Sequence, residues 1–225
     1  MKILNFFKTC MFSVLLAFLL IFLIDHAAAQ SGPNSGEIEF IWAFINGTPD
    51  GKKEIIDFSK RPSVKEGDKL QIYVQPVTEV YLYLYLVDSQ RELYLLFPDT
   101  PDYYDRNTLE KRKYFIPGEK EWFTWDNSKG IERFYVFASK SRLKELEAAT
   151  RRFIDNPGNG KIKAALLDEM EETRKSRSQT ASPTDKPVAI AGTIRTRGSE
   201  PEIKGEATNT KVQEFYGKPL RLKHE

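Results

Sequence analysis

Three tyrosines spaced two residues apart, Tyr81, Tyr83 and Tyr85, are the residues whose type and spacing speak most directly to recognition chemistry. In a strand, a period of two puts the three rings on one face and Leu82, Leu84 and Leu86 on the other. A ladder of rings can stack on sugar rings or on peptide aromatics. The same face has a second reading, in which amphipathic helices that follow Ser139 bury their apolar stripes against it. Burial is favoured, because an open aromatic strand face is an aggregation liability.

Asp99, Asp102 and Asp105 share one loop, with Asn107 and Glu110 close behind, and a set of oxygen donors of this kind suits calcium. The spacing follows no EF-hand template. Nucleophilic chemistry has few parts to work with. The single cysteine, Cys10, lies in the N-terminal segment, and His224 is the only histidine beyond that segment. Ser-His-Asp, Cys-His and zinc arrangements therefore lack their members. A carboxylate-based hydrolase stays open as an alternative, since spacing alone cannot place two carboxylates across a cleft. Pro157-Gly158-Asn159-Gly160 lacks the lysine and serine of a phosphate-binding loop. The 34 basic and 32 acidic side chains, formal net charge +2, argue against nucleic acid as partner. Arg195 to Arg197 and Arg221-Leu222-Lys223 read as charge on a solvated strand edge. No cofactor is implied.

The N-terminus has the build of an export signal. Lys2 and Lys8 precede the apolar run Met11 to Ile24, and Ala27-Ala28-Ala29 supply small residues before Gln30. The run is short for a spanning helix and suits a secretory signal over residues 1–29, cut between Ala29 and Gln30. An uncleaved anchor is the alternative, and membrane contact is then confined to this segment. After cleavage no cysteine remains, so the mature chain must rest on its apolar core, as suits a bacterial envelope protein. The expected location is periplasmic or extracellular.

The elements that must position these residues centre on Tyr81 to Pro98, two apolar strands around the turn Asp88-Ser89-Gln90-Arg91. A flexible leader (30–36) precedes it, then strands over Glu37 to Asn46 and Lys69 to Pro76. Further strands are expected over Tyr114 to Pro117, Glu121 to Trp125 and Ile131 to Ala138. A strand pair apolar on both faces has to be covered on both, by a second sheet and by helices or a partner. After Ser139 the period becomes helical. Leu143, Leu146, Ala149 and Phe153 form one stripe and Ile162, Ala165, Leu166 and Met170 another, with Glu147–Arg151 and Glu171–Lys175 as supporting ion pairs. The expected organisation is a mainly β (α+β overall) fold. An antiparallel β-sandwich-like domain (37–139) is followed by two amphipathic helices (140–175), a Ser/Thr/Pro linker (176–187) and a C-terminal tail (188–225). Edge strands are expected in the tail at Val188 to Ile194 and Lys211 to Leu222.

The ordered set Gly67-Asp68, Tyr81-Leu82-Tyr83, Leu96-Phe97-Pro98 and Ala138-Ser139 resembles a bacterial domain-of-unknown-function family, number 4384, over roughly Val64 to Ser139. Two loop positions depart from it: Gln90-Arg91 stands where the family often has glycine, and Glu110 to Lys113 is charged. The resemblance implies a small β-rich domain of exported proteins, also attached to kinases and peptidases, with an accessory or sensing character and no agreed activity. The expected function is non-catalytic recognition in a bacterial envelope, with an envelope protein or surface glycan as partner. A structural or assembly role is the third option.

Overall fold

The computed structural model describes residues 36–177, 183–189 and 203–225. Twelve strands, one 3-10 turn and two helices are described. In chain order they are β1 (Glu37–Gly47), β2 (Lys53–Ile55), β3 (Ser63–Val64), β4 (Lys69–Pro76), β5 (Tyr81–Val87), β6 (Leu93–Phe97), the 3-10 turn (Tyr103–Asp105), β7 (Tyr114–Ile116), β8 (Phe123–Thr124), β9 (Gly130–Ser139), α1 (Lys144–Asp155), α2 (Gly160–Arg177), β10 (Thr184–Ala189), β11 (Glu206–Gln213) and β12 (Phe215–His224). Sheet I has the order β10-β11-β1-β4-β7, with β2 on β1 and β8 on β4. Sheet II has the order β3-β12-β9-β5-β6. The strand pairings described are antiparallel except the short parallel contact of β3 with β12, and an isolated parallel bridge joins Glu54 to Lys204.

Period-two alternation builds the core between the sheets. Phe40, Trp42 and Phe44 of β1 and Leu70, Ile72 and Val74 of β4 meet Leu84, Phe134, Tyr216 and Leu222 of sheet II in one buried cluster. Rings cross the interface edge-to-face, Phe44 on Phe134 at 4.9 Å and Phe40 on Tyr216 at 5.4 Å. The opposite face of sheet II is apolar too, and the helices cover it: Leu146 and Ala149 of α1 and Leu166 and Met170 of α2 belong to the same buried cluster. The mainly β sandwich with two covering helices is therefore the fold.

The long loop after β6 is ordered by two buried anchors, Tyr104 and Leu109. β6 pairs with β5 only from Leu84 to Val87, which leaves Leu82 without a strand partner on that side. The Tyr104 hydroxyl fills the place, accepting from the Leu82 N–H at 2.9 Å and donating to its carbonyl at 2.8 Å.

The C-terminal third differs most from expectation. It is not an appendage with edge strands. β12 lies inside sheet II, paired with β9 along its whole length, and β11 lies inside sheet I between β1 and β10. The apolar alternation of Lys211 to Leu222 reads as one strand, but the chain changes sheets at Glu214, whose φ is +58°. That crossing is pinned by bonds from the Glu214 N–H to Gly36 O and from the Lys140 N–H to Glu214 O, both 2.8 Å. The Ser/Thr/Pro segment expected as a linker contributes β10, and Pro187 is tolerated there because β10 is an edge strand. Of the strand expected at Val188 to Ile194, only Val188 and Ala189 fall on β10, and the rest lies outside the described residues.

Candidate functional site

The tyrosine ladder is interior. Tyr83 and Tyr85 are each 1% exposed. α1 lies over them because its inward stripe carries polar groups where the tyrosine hydroxyls arrive. The Tyr83 hydroxyl donates to Glu147 Oε1 at 2.5 Å and accepts from the Leu143 N–H at 3.1 Å, and the Tyr85 hydroxyl meets Thr150 Oγ1 at 2.8 Å. Burial, reinforced by the Glu147 carboxylate, pushes the Tyr83 hydroxyl well above its ordinary pKa, so it remains a donor. Only Tyr81 is half-buried, and its ring lies edge-to-face on Tyr104 at 5.1 Å. As a stacking platform the ladder is corrected: the Tyr83 and Tyr85 rings are buried against Tyr104 and Phe137, and their hydroxyls are spent on the helix and its N-terminal end.

Two of the three loop aspartates are turned to arginines, and Asp99 is exposed. Asp105 is 2.7 Å from Arg142 and 3.6 Å from Arg151, and Asp102 is 4.0 Å from Arg151. Among the described residues no cluster of three or more His, Cys, Asp or Glu is placed to hold a metal ion. The loop carboxylates tie the 3-10 turn to the start of α1. Arg142 completes the tie with a fork onto the buried Glu147 carboxylate, its Nε 3.1 Å from Oε2. Glu147 therefore turns inward and not to Arg151, and Glu171 pairs with Arg174 at 2.8 Å instead of Lys175. The cleavage residues Ala29 and Gln30 lie outside the described residues.

His224 is 2% exposed and faces Glu132, 3% exposed, with Nδ1 to Oε1 at 3.7 Å, and its ring lies 5.4 Å from that of Trp125. It is walled into the sandwich and offers no base to a surface.

What the fold does present is a cleft of about 1200 Å³. Its walls are the β10–β11 edge of sheet I, the free side of β12 and the segment 56–62 that joins β2 to β3. That segment is held at both ends, by the Ile56 N–H on Phe44 O at 2.8 Å and the Lys223 N–H on Pro62 O at 3.0 Å. The floor is apolar, with Phe44, Phe58 and Leu220. The rim is cationic: six lysines and arginines line the cleft against three carboxylates. Two of those carboxylates are already matched. Asp57 bonds Ser59 and Lys60, which hold it well below the usual range, at about 2. Asp185 takes Lys218 at 2.8 Å and the Thr210 hydroxyl at 2.6 Å, clasping sheet I to sheet II, while Thr210 accepts from Trp42 Nε1 at 3.0 Å. Arg61, Lys186 and Arg221 are exposed and have no ion-pair partner among the described residues. These residues come from three distant parts of the chain, so no local motif announces them. The one trace in the sequence is the Arg221-Leu222-Lys223 alternation, which reads as edge charge.

The turns and corners of the sandwich match a known pattern over residues 63–142, that of the family model described as Domain of unknown function (DUF4384). Residues 63–142, about a third of the chain, are similar to that family. No curated protein and no solved structure matches the chain. The geometry explains the DUF4384 signature. Gly67 has φ +82°, and Asp68 then accepts from the Lys65 N–H at 3.0 Å while its carbonyl takes the Trp125 N–H at 3.0 Å. The Leu96-Phe97-Pro98 corner carries a cis peptide bond at Phe97–Pro98. Where the family often has a turn glycine, Arg91 adopts φ +67°, and the Asp88 carboxylate supports the turn through the N–H groups of Gln90 and Glu92 at 2.9 and 2.7 Å. The matched DUF4384 segment holds β3 to β9 only. β1 pairs with its β4, β12 pairs with its β9, and the helices outside it cover its tyrosines, so its two half-sheets close only with flanking residues.

Proposed function

We propose that this protein is an exported, non-catalytic accessory module of a bacterial envelope, and that it recognises its partner, an envelope protein or a surface glycan, through the cleft between β10–β11 and β12. One observation carries the reading: a chain of net charge +2 gathers six cations around a single apolar-floored cleft. Concave sites with an apolar floor and a few convergent polar groups are the usual form of a recognition site. Catalysis finds little support in the same place. Asp57 is held ionised and Asp185 is engaged by Lys218 and Thr210, so neither is poised as a general acid. The signal-like segment at 1–29 supports export.

The test has two arms. Mass spectrometry of protein from the envelope fraction is expected to find Gln30 as the first residue; an intact N-terminus in the cytoplasmic fraction refutes export. A photo-crosslinking residue at position 61 or 186 is expected to give a discrete adduct in cells, and one at position 152 on α1 none. Adducts from position 152 alone contradict the cleft.

A further inference from the structure

Among the described residues, the side of β12 that borders the cleft has no strand partner over most of its length. On its other side β12 pairs with β9 from Phe215 to His224, but toward the cleft only Lys223 and His224 are paired, with the two-residue β3. The Lys223 N–H bonds Pro62 O and the Glu225 N–H bonds Val64 O, each at 3.0 Å. Alternate residues of a strand direct their backbone groups to the same side, so Arg221 turns its N–H and C=O toward the cleft and Pro219 its C=O. Pro219 sits where its missing N–H interrupts no bond to β9. β3 thus begins a position in sheet II that nothing among the described residues continues.

Three further properties select what fits there. The β12 stretch on the cleft ahead of the β3 pairing, Lys218 to Leu222, spans roughly 16 Å at about 3.3 Å per residue, the length of a short extended segment. Arg61, Lys186 and Arg221 supply cationic partners for carboxylates. Ile56, Phe58 and Ile131, none of them buried, supply apolar surface for alternate side chains. A sugar chain is served less well. Trp42 and Phe44, 5% and 1% exposed, offer no open ring face for a sugar to stack on.

We propose that the cleft takes an extended polypeptide segment with alternating carboxylate and apolar side chains, which adds to sheet II as a strand along β12 in line with β3. Main-chain bonds supply affinity in this mode, and the side-chain pockets supply specificity. The inference rests on the cleft being the recognition site and adds the partner class and the manner of binding.

The experiment titrates the purified protein with a fluorescent, end-blocked hexapeptide of alternating Glu and Val. Comparators are the Lys-for-Glu peptide, two versions N-methylated on odd or on even residues, and an oligogalacturonate of matching length. Expected results are binding of the acidic peptide and a loss of about tenfold or more in Arg61→Glu/Arg221→Glu. Arg152→Glu is expected to leave affinity unchanged. One N-methylated register is expected to lose about tenfold while the other binds. The Arg221 amide is expected to exchange more slowly with peptide present. Absence of binding at roughly 1 mM peptide overturns the inference. So does equal binding by both N-methylated registers, or an Arg221 amide that exchanges unchanged. Binding of the oligogalacturonate alone, lost in the double variant, overturns the peptide assignment and leaves the cleft as recognition site. If position 61 also yields no adduct in cells, both readings fall.

Discussion

Replacing Tyr83 by phenylalanine keeps the ring and removes one oxygen, and the structure sets what that oxygen is worth. The hydroxyl donates to the buried Glu147 carboxylate at 2.5 Å and accepts from the Leu143 N–H at 3.1 Å, and Tyr83 and Leu143 are both 1% exposed. Losing a hydrogen bond to a charged acceptor costs roughly 1.5–3 kcal/mol, and leaving a buried N–H without a partner costs about 1–3 kcal/mol. The two overlap, because Glu147 keeps its fork from Arg142, so the net expectation is about 2–4 kcal/mol. For a domain of this size each kcal/mol lowers Tm by roughly 2–4 °C. Urea denaturation is the assay, with the slope unchanged and the midpoint lowered. A Tyr83→Phe variant within about 0.5 kcal/mol of the parent refutes the reasoning, since it means that water or another group already serves the hydroxyl's partners. The companion Glu147→Gln, combined with Tyr83→Phe, is expected to show a coupling of about 0.5–3 kcal/mol.

Three further outcomes follow from the same geometry. Ending the chain at Gln213 removes β12 and the buried side chains of Phe215, Tyr216, Leu220 and Leu222. At about 1.5–3 kcal/mol each, their loss matches or exceeds the whole stability of an ordinary domain, so circular dichroism is expected to show no cooperative transition. Arg61→Glu and Arg221→Glu are expected to unfold within about 0.5 kcal/mol of the parent, because both residues are exposed and without an ion-pair partner among the described residues; a larger loss in urea unfolding shows that they serve the fold. Burial raises the Glu132 carboxyl above its ordinary value of 4.5, with Asp88 adding to the rise and His224 opposing it. A raised folded-state pKa gives a contribution that is complete below the unfolded value and is lost as pH climbs through the folded value. Glu132→Gln is therefore expected to gain on the parent in thermal melts as pH rises above the ordinary value of 4.5, and a gain that grows toward acid contradicts this.

Much of the sandwich was legible because period two is a strong signal when one or both faces are buried. β4 and β5 have the expected bounds, Lys69–Pro76 and Tyr81–Val87, and the apolar character of both faces of β5 correctly demanded a sheet on one side and a covering on the other. The topology of the C-terminal third was not legible. Lys211 to Leu222 alternates without a break in pattern, and the change of sheet at Glu214 depends on a left-handed backbone at a glutamate, with hydrogen bonds to Gly36 and Lys140. The polar groups of α1 misled for a related reason. Glu147 four residues before Arg151 looks like a surface pair, yet the tyrosine hydroxyl beneath it and Arg142 beside it draw Glu147 inward. The cleft was hidden because its cations come from residues 60–61, 186 and 218–223, which only the strand order brings together.

The central claim is that the tyrosine face belongs to the interior and the cleft to the surface, and hydroxyl-radical footprinting tests it most directly. Tyr94, 46% exposed, and Phe134, 0% exposed, serve as internal standards on the same chain. Tyr83 and Tyr85 are expected to label as slowly as Phe134, with Pro219 and Arg61 reactive alongside Tyr94. Labelling of Tyr83 and Tyr85 at the rate of Tyr94 contradicts it, returns the ladder to the surface and removes α1 from its place over sheet II.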